Sequence, residues 1–376
     1  MHLSGNPIQI TLTANAVRVN HKLAIKVTCA ALMGSPFVEE IAPNSSNLHA
    51  VFYISGFIDQ PVDYTFDYPA IGKVRSHIAL AFLVTIDIGE VWTDSNGDRQ
   101  VQWMGISTNN LLRVIKGKLR TYESGLLNDA GKDFNSEFIN GGKFLTHLPN
   151  NQVVSPNQMI KLWYLSRWTV NHNATLNLTI NTDLKIARMP ITEDLVLFAS
   201  GLFEFSVNPA FIGFNISSGE NIVSYTFWLS DDDGDTSERR TFLVDNTYRE
   251  KVFFFYYVNP LSGVDCIRLT GQYTEGLKTE SEIAYRAIPV LSGSKVASQT
   301  TISSSSQRTW ELNTGAKSPL EILALRDFLS AKQCWMVEPA NGEKLVPVNI
   351  EPGDHKLFDV SDDNQNLEIK ILEAHR

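Results

Sequence analysis

The chain has 376 residues, 43% of them hydrophobic and 10% aromatic, with only 19% charged. That is enough apolar side chain for two or three packed cores, and it excludes an intrinsically disordered chain. Thirty-two basic against 41 acidic residues leave a net charge of −9, and no Lys/Arg cluster offsets it, so direct binding of nucleic acid is not expected.

In chain order, period-two alternation dominates. Ile8, Ile10 and Leu12 share one side and Gln9 and Thr11 the other, and Leu23, Ile25, Val27 and Cys29 repeat the pattern. Such alternation predicts strands with one buried and one wet face. Residues 51–57 and 78–91 read as further strands. Val91-Trp92-Thr93 and Val101-Gln102-Trp103 flank Asp94-Ser95-Asn96-Gly97-Asp98, whose Asn-Gly step suits a tight hairpin. Residues 110–115 are a weak helical candidate. Strands are expected over 159–168, at Leu176, Leu178 and Ile180, and over 196–205, 222–229, 241–244, 251–258, 266–273 and 282–290.

One helix is well signalled near 319–331. Ser318 precedes Pro319, and Glu321 falls at the capping-box position. Leu320, Leu323, Ala324, Phe328 and Ala331 follow at helical spacing. Strands resume at 334–337 and 345–350. The fold class is therefore mainly β: two or three antiparallel β-sandwich or barrel-like domains, with a small C-terminal α+β domain carrying one helix. Boundaries are drawn at 1–190 (with room for two subdomains), 191–291 and 292–376. The Ser/Thr-rich stretch 292–307 reads as a linker or a polar edge. No fixed-period repeat supports a propeller or solenoid.

The chemistry-bearing residues are sparse. Cys29, Cys266 and Cys334 lie far apart in apolar runs, which predicts buried thiols, a reducing site of synthesis and no zinc site. His2, His21, His49, His77, His147, His172, His355 and His375 form no metal or catalytic spacing. Gly315-Ala316-Lys317-Ser318 lacks the glycines of a phosphate loop, and Ser318 is better used as a cap. Asp231-Asp232-Asp233-Gly234-Asp235 with Glu238 is the best cation candidate, but its Gly stands at position four rather than the six of an EF-hand. An acidic hairpin turn is the plainer reading, and calcium stays open there. No catalytic, cofactor-binding or metal residue is assigned.

Trp103, Trp163, Trp168 and Trp228 could stack on sugars, though aromatics on alternating strand positions belong more often to a core. Phe253-Phe254-Phe255-Tyr256-Tyr257 is apolar on both faces, as in a central strand covered on two sides or one facing a partner subunit. No Sec signal is expected from the first residues, and no apolar run approaches membrane-spanning length, so no membrane insertion is expected. The sequons at Asn44, Asn173, Asn177 and Asn215 are read as chance in a Ser/Thr/Asn-rich chain.

Three segments together resemble known proteins. Leu3-Ser4-Gly5-Asn6-Pro7-Ile8 is similar to the first strand of structural proteins from the tail modules of Bacteroidetes phages and prophages. The aromatic run followed by Val258-Asn259-Pro260-Leu261-Ser262-Gly263-Val264-Asp265 and a strand ending in Thr270-Gly271 is similar to a recurrent strand–turn–strand of that group. The helix, Trp335-Met336-Val337, Val346-Pro347-Val348-Asn349-Ile350, Leu357-Phe358-Asp359 and Asn366-Leu367-Glu368-Ile369 resemble its closing domain. The likeness covers about a third of the chain. It implies a non-enzymatic virion protein of the baseplate, tail tip or connector, made in the host cytoplasm. Its partners would be further copies of itself and other tail or baseplate proteins. The alternatives are an adhesin module for a host-surface glycan or protein ligand and, behind it, a tail-associated glycan hydrolase with two carboxylates across a cleft.

Overall fold

The computed structural model describes residues 1–60, 64, 68, 74–104, 111–168, 170–198, 201–208, 219–285, 299–338, 344–355, 357 and 366–374. The chain divides into two compact units, Met1–Asn246 with Val258–Asp265, and Thr247–Tyr257 with Cys266–Arg376. It is mainly β, built from several antiparallel sheets with few helices.

The first half of unit one runs β1 (His2–Leu3), β2 (Gln9–Thr13), β3 (Lys22–Thr28), β4 (Phe37–Ile41), β5 (His49–Tyr53), α1 (Ser55–Ile58), β6 (Val74–Ser76), β7 (Ala81–Thr93), β8 (Arg99–Trp103) and β9 (Leu111–Ile115). The second runs α2 (Thr121–Asp129), β10 (Gln152–Val154), β11 (Ile160–Leu165), β12 (His172–Thr182), β13 (Ile186–Leu197), β14 (Leu202–Val207), β15 (Ile222–Asp231), β16 (Gly234–Asp235) and β17 (Arg240–Val244).

Strands β1-β9-β7-β3-β4 form one sheet, with β8 on β7, and the β2–β5 pair lies against it. Between them Leu23, Ile25, Val27, Val84, Ile86, Phe52, Ile54 and Cys29 make one apolar cluster. The expected β7–β8 hairpin is present: Thr93 faces Arg99, the Asp94 amide donates to the Asp98 carbonyl, and Gly97 takes φ of +89°. That left-handed value is why the turn carries Asn-Gly.

A second sandwich follows. The sheet β10-β17-β15-β12-β13 faces the three-stranded sheet β11-β14-β6. Phe205 of β14 and Phe227 of β15 meet at 5.9 Å between ring centroids, and Phe144 touches both together with Tyr164. These edge and tilted ring contacts add to the apolar burial that holds the layers together.

Unit two is one seven-stranded sheet in the order β19-β18-β22-β23-β24-β21-β20. Its strands are β18 (Phe253–Val258), β19 (Val264–Leu269), β20 (Tyr273–Tyr285), β21 (Gln299–Asn313), β22 (Cys334–Glu338), β23 (Lys344–Ile350) and β24 (Glu368–Glu373), with α3 (Pro319–Leu329) between β21 and β22. The aromatic run is β18, an interior strand with every ring buried. Phe255 and Tyr257 pack on Phe328 of α3, each at 5.4 Å. The Ser318 hydroxyl accepts the Glu321 amide, and Glu321 Oε2 accepts the Ser318 amide at 3.0 Å. Ser318→Ala should therefore cost about 1 kcal/mol of stability, read as a lowered urea midpoint.

Several expectations need correction. Residues 111–115 are not helical; they form β9, antiparallel to β7 and parallel to β1. A five-residue apolar run carries no period to separate the two states. The antiparallel expectation holds for the sheets, within which, among the described residues, β1–β9 and β10–β17 run parallel. The boundary drawn at residue 190 falls inside β13, where Met189 and Pro190 lie opposite Leu178 and Asn177. Of the stretch read as a linker or a polar edge, residues 299–307 belong to strand β21, while 292–298 lie outside the described residues. Helix α3 ends at Leu329, and Leu320 is 65% exposed; its buried side carries Ile322, Leu325 and Phe328.

Candidate functional site

The most strongly built polar constellation lies in unit one, on the three-stranded sheet. Strand β11 reads Ile-Lys-Leu-Trp-Tyr-Leu and β14 reads Leu-Phe-Glu-Phe-Ser-Val. Alternation turns Leu162, Tyr164, Phe203 and Phe205 to one side and Lys161, Trp163, Glu204 and Ser206 to the other. The register sets Trp163 opposite Glu204 and Lys161 opposite Ser206. Lys161 Nζ donates to Glu204 Oε1 at 2.5 Å and to Ser206 Oγ at 2.9 Å. His77, just after β6, places Nε2 2.8 Å from Glu204 Oε2, and its ring lies 4.2 Å from that of Trp163.

Lys161, Glu204 and His77 are all buried. Burial alone would raise the Glu204 carboxyl, but the His77 hydrogen bond and the Lys161 charge outweigh it and hold the group below the ordinary glutamate range. Tyr64 lies against Trp163, its hydroxyl 3.2 Å from Ser262 Oγ, and burial pushes that phenol up to about 12. Acid–base catalysis needs a group within reach of a substrate proton. Glu204 has both oxygens engaged inside the protein, so its geometry is that of a clamp joining β6, β11 and β14.

The acidic run is a tight turn. Asp231 at the end of β15 faces Gly234 of β16, which has φ of +128°. Asp231 Oδ2 lies 2.8 Å from His172 Nε2, and Oδ1 accepts the Asp233 amide at 2.9 Å. Arg239 Nε donates to Asp235 at 2.7 Å, and Glu238 accepts the Phe144 amide at 3.0 Å. Three of the carboxylates weighed as calcium ligands thus have protein partners.

The tryptophans divide. Trp163 and Trp228 are only 2% and 1% exposed, so neither offers a face to a sugar. Trp228 lies on the side of β15 away from Phe227 and is covered by Arg188 and Arg239, at 5.1 and 4.8 Å from its ring. Arg239→Ala should open that cover and raise acrylamide quenching of tryptophan fluorescence, with a stability loss of about 1 kcal/mol or less. Trp103 and Trp168 are half-buried, the latter stacked on His172 at 3.9 Å. Lys317 Nζ donates to the Arg268 carbonyl at 3.2 Å, so the Gly315 loop serves the start of α3. All three cysteines are buried thiols outside any disulfide, and burial raises the Cys334 thiol strongly.

A feature the sequence reading missed is a β-ribbon. Strand β20 pairs with β21 from Tyr273↔Leu312 to Tyr285↔Gln299. Among the described residues β24 supports β21 only over Thr309 to Asn313, so beyond Leu277 the ribbon has two strands. Nearly every residue of β20 is exposed, including Tyr273, Leu277, Ile283 and Tyr285 on one face. At the ribbon's base, Tyr273, Glu311, Asn313, His355 and Lys370 line an open cleft of about 500 Å³. The alternation of Tyr273, Glu275, Leu277, Thr279, Ser281, Ile283 and Tyr285 was available as a signal for a strand beginning well before residue 282. The Lys161–Glu204 pair had a fainter one: a single Lys and a single Glu, each interrupting an apolar strand.

No protein-family model matches this chain, and the search of curated proteins returns no match.

Proposed function

We propose that this chain is a non-enzymatic structural component of a phage tail or tail-like particle, such as a baseplate, tail-tip or connector part, that assembles with its own copies and with other tail proteins. The observation that carries the reading is the β20–β21 ribbon. An edge strand of 13 residues with a Tyr/Leu/Ile face is an aggregation hazard in a free protein. An isolated two-stranded ribbon is also only marginally stable in water. Both costs disappear if the ribbon is covered in an assembly. The likeness of residues 3–8, 253–271 and the closing segment to tail-module proteins supplies the kind of assembly.

The test is mass spectrometry of tail-like particles purified from cells that carry the gene with its neighbours. The chain is expected in a fixed ratio to tube and baseplate proteins. Its absence from intact particles, with the protein left in the soluble fraction, defeats the reading.

A further inference from the structure

We propose that β20 pairs antiparallel with β20 of a second copy of this chain, about a two-fold axis passing through Thr279. The pairing deepens the assembly reading and rests on it. Three observations on the ribbon select this partner and this register.

The first is the free edge. Strand β20 ends the unit-two sheet, and among the described residues its backbone ladder runs to β21 alone. The irregularity at Glu282/Ile283 places the extra residue, Ile302, in β21, so β20 keeps unbroken alternation over its whole length. Thirteen residues offer about 44 Å of edge.

The second is self-complementarity. With Thr279 on the axis, Lys278 of each copy falls opposite Glu280 of the other, and Tyr273 falls opposite Tyr285. In the single chain Lys278 Nζ already lies 2.8 Å from Glu280 Oε1 on the same face. The pairing lets these charges also bridge the two strands, twice by symmetry. Moving the axis to residue 278 sets Lys278 against Lys278, and moving it to 280 sets Glu280 against Glu280. An axis between residues puts the Tyr/Leu/Ile face of one strand against the charged face of the other.

The third is the exposed stripe. Tyr273, Leu277, Ile283 and Tyr285 are all substantially exposed. In the four-stranded ribbon β21-β20-β20-β21 the two stripes lie on one face, with a Tyr273–Tyr285 pair at each end and Leu277 and Ile283 interspersed with Glu275, Thr279 and Ser281 between them.

The experiment uses the full chain. Sedimentation equilibrium over a concentration series should show a dimer, weakened roughly tenfold by Lys278→Glu, since two opposed pairs turn repulsive. The exchange Lys278→Glu with Glu280→Lys should restore it. Thr279→Cys should form a covalent dimer under mild oxidant, because facing Cα atoms in an antiparallel pair lie about 4.5–5.5 Å apart, within disulfide reach. Ser281→Cys should not, since it faces residue 277. The native cysteines are buried and do not compete. A chain that is monomeric throughout and gives no Thr279→Cys cross-link overturns the pairing, as does equal cross-linking through Ser281→Cys or a charge exchange that fails to rescue. A monomer still built into tail particles removes the pairing and leaves the proposed function standing. A cross-linked dimer absent from particles removes the proposed function and leaves the pairing.

Discussion

Glu204→Gln is expected to lower the stability of unit one by about 3–5 kcal/mol, because it replaces the carboxylate to which the buried Lys161 ammonium donates with a neutral amide. That is a large share of the roughly 5–15 kcal/mol that holds a typical domain. The combined Lys161→Met and Glu204→Leu chain should recover most of the loss, since a buried ion pair is often replaced by apolar groups at little cost. A urea titration of each full-length variant reads both effects. A Glu204→Gln midpoint equal to that of the unaltered chain would show that the pair is not charged.

The same carboxylate carries a pH dependence. Its folded-state pKa lies below the unfolded value. Its contribution is therefore complete above about 4.3, the ordinary glutamate value, and is lost as pH falls from there through the lower folded value. Below about pH 4.3, Glu204→Gln should make the stability curve flatter than that of the unaltered chain. Equal slopes for the two chains would remove Glu204 as the source.

The parts legible in the sequence are those fixed by near neighbours. Alternation at Leu23, Ile25 and Val27 needs only a wet and a dry face, and Ser318-Pro319 with Glu321 settles a helix start within four residues. The site residues depend on distant partners. Glu204 meets Lys161 across 43 positions and His77 across 127, and no local pattern encodes that register. Helix α2 escaped notice because Thr-Tyr-Glu-Ser-Gly-Leu-Leu-Asn-Asp has no buried stripe. Its start depends on Glu123 accepting the Arg120 amide at 2.7 Å rather than on a Ser or Asp cap. The ribbon was hidden by composition: Ser303 to Ser306 resemble a linker until their partners, Glu282 to Thr279, are known.

Phe328→Ala is the second large effect, at about 3–5 kcal/mol in unit two. Phe328 is fully buried and bridges α3 to Phe255 and Tyr257 of the interior strand β18. Truncation deletes both ring contacts and opens a space that the flanking residues cannot fill, because β18 is held by its ladder to β22 from Phe254↔Val337 to Tyr257↔Cys334. Phe328→Leu keeps most of the volume and should cost less than half as much. Thermal melts of the two variants separate cavity cost from a general intolerance of the site. Because the ribbon leaves the same sheet at its β20 edge, Phe328→Ala also tests how the arm is carried. If unit two is the platform for the ribbon, the Thr279→Cys cross-link should weaken as unit two melts and persist in Phe328→Leu at the same temperature. A cross-link yield that ignores the melt would mean the arm pairs without its sheet.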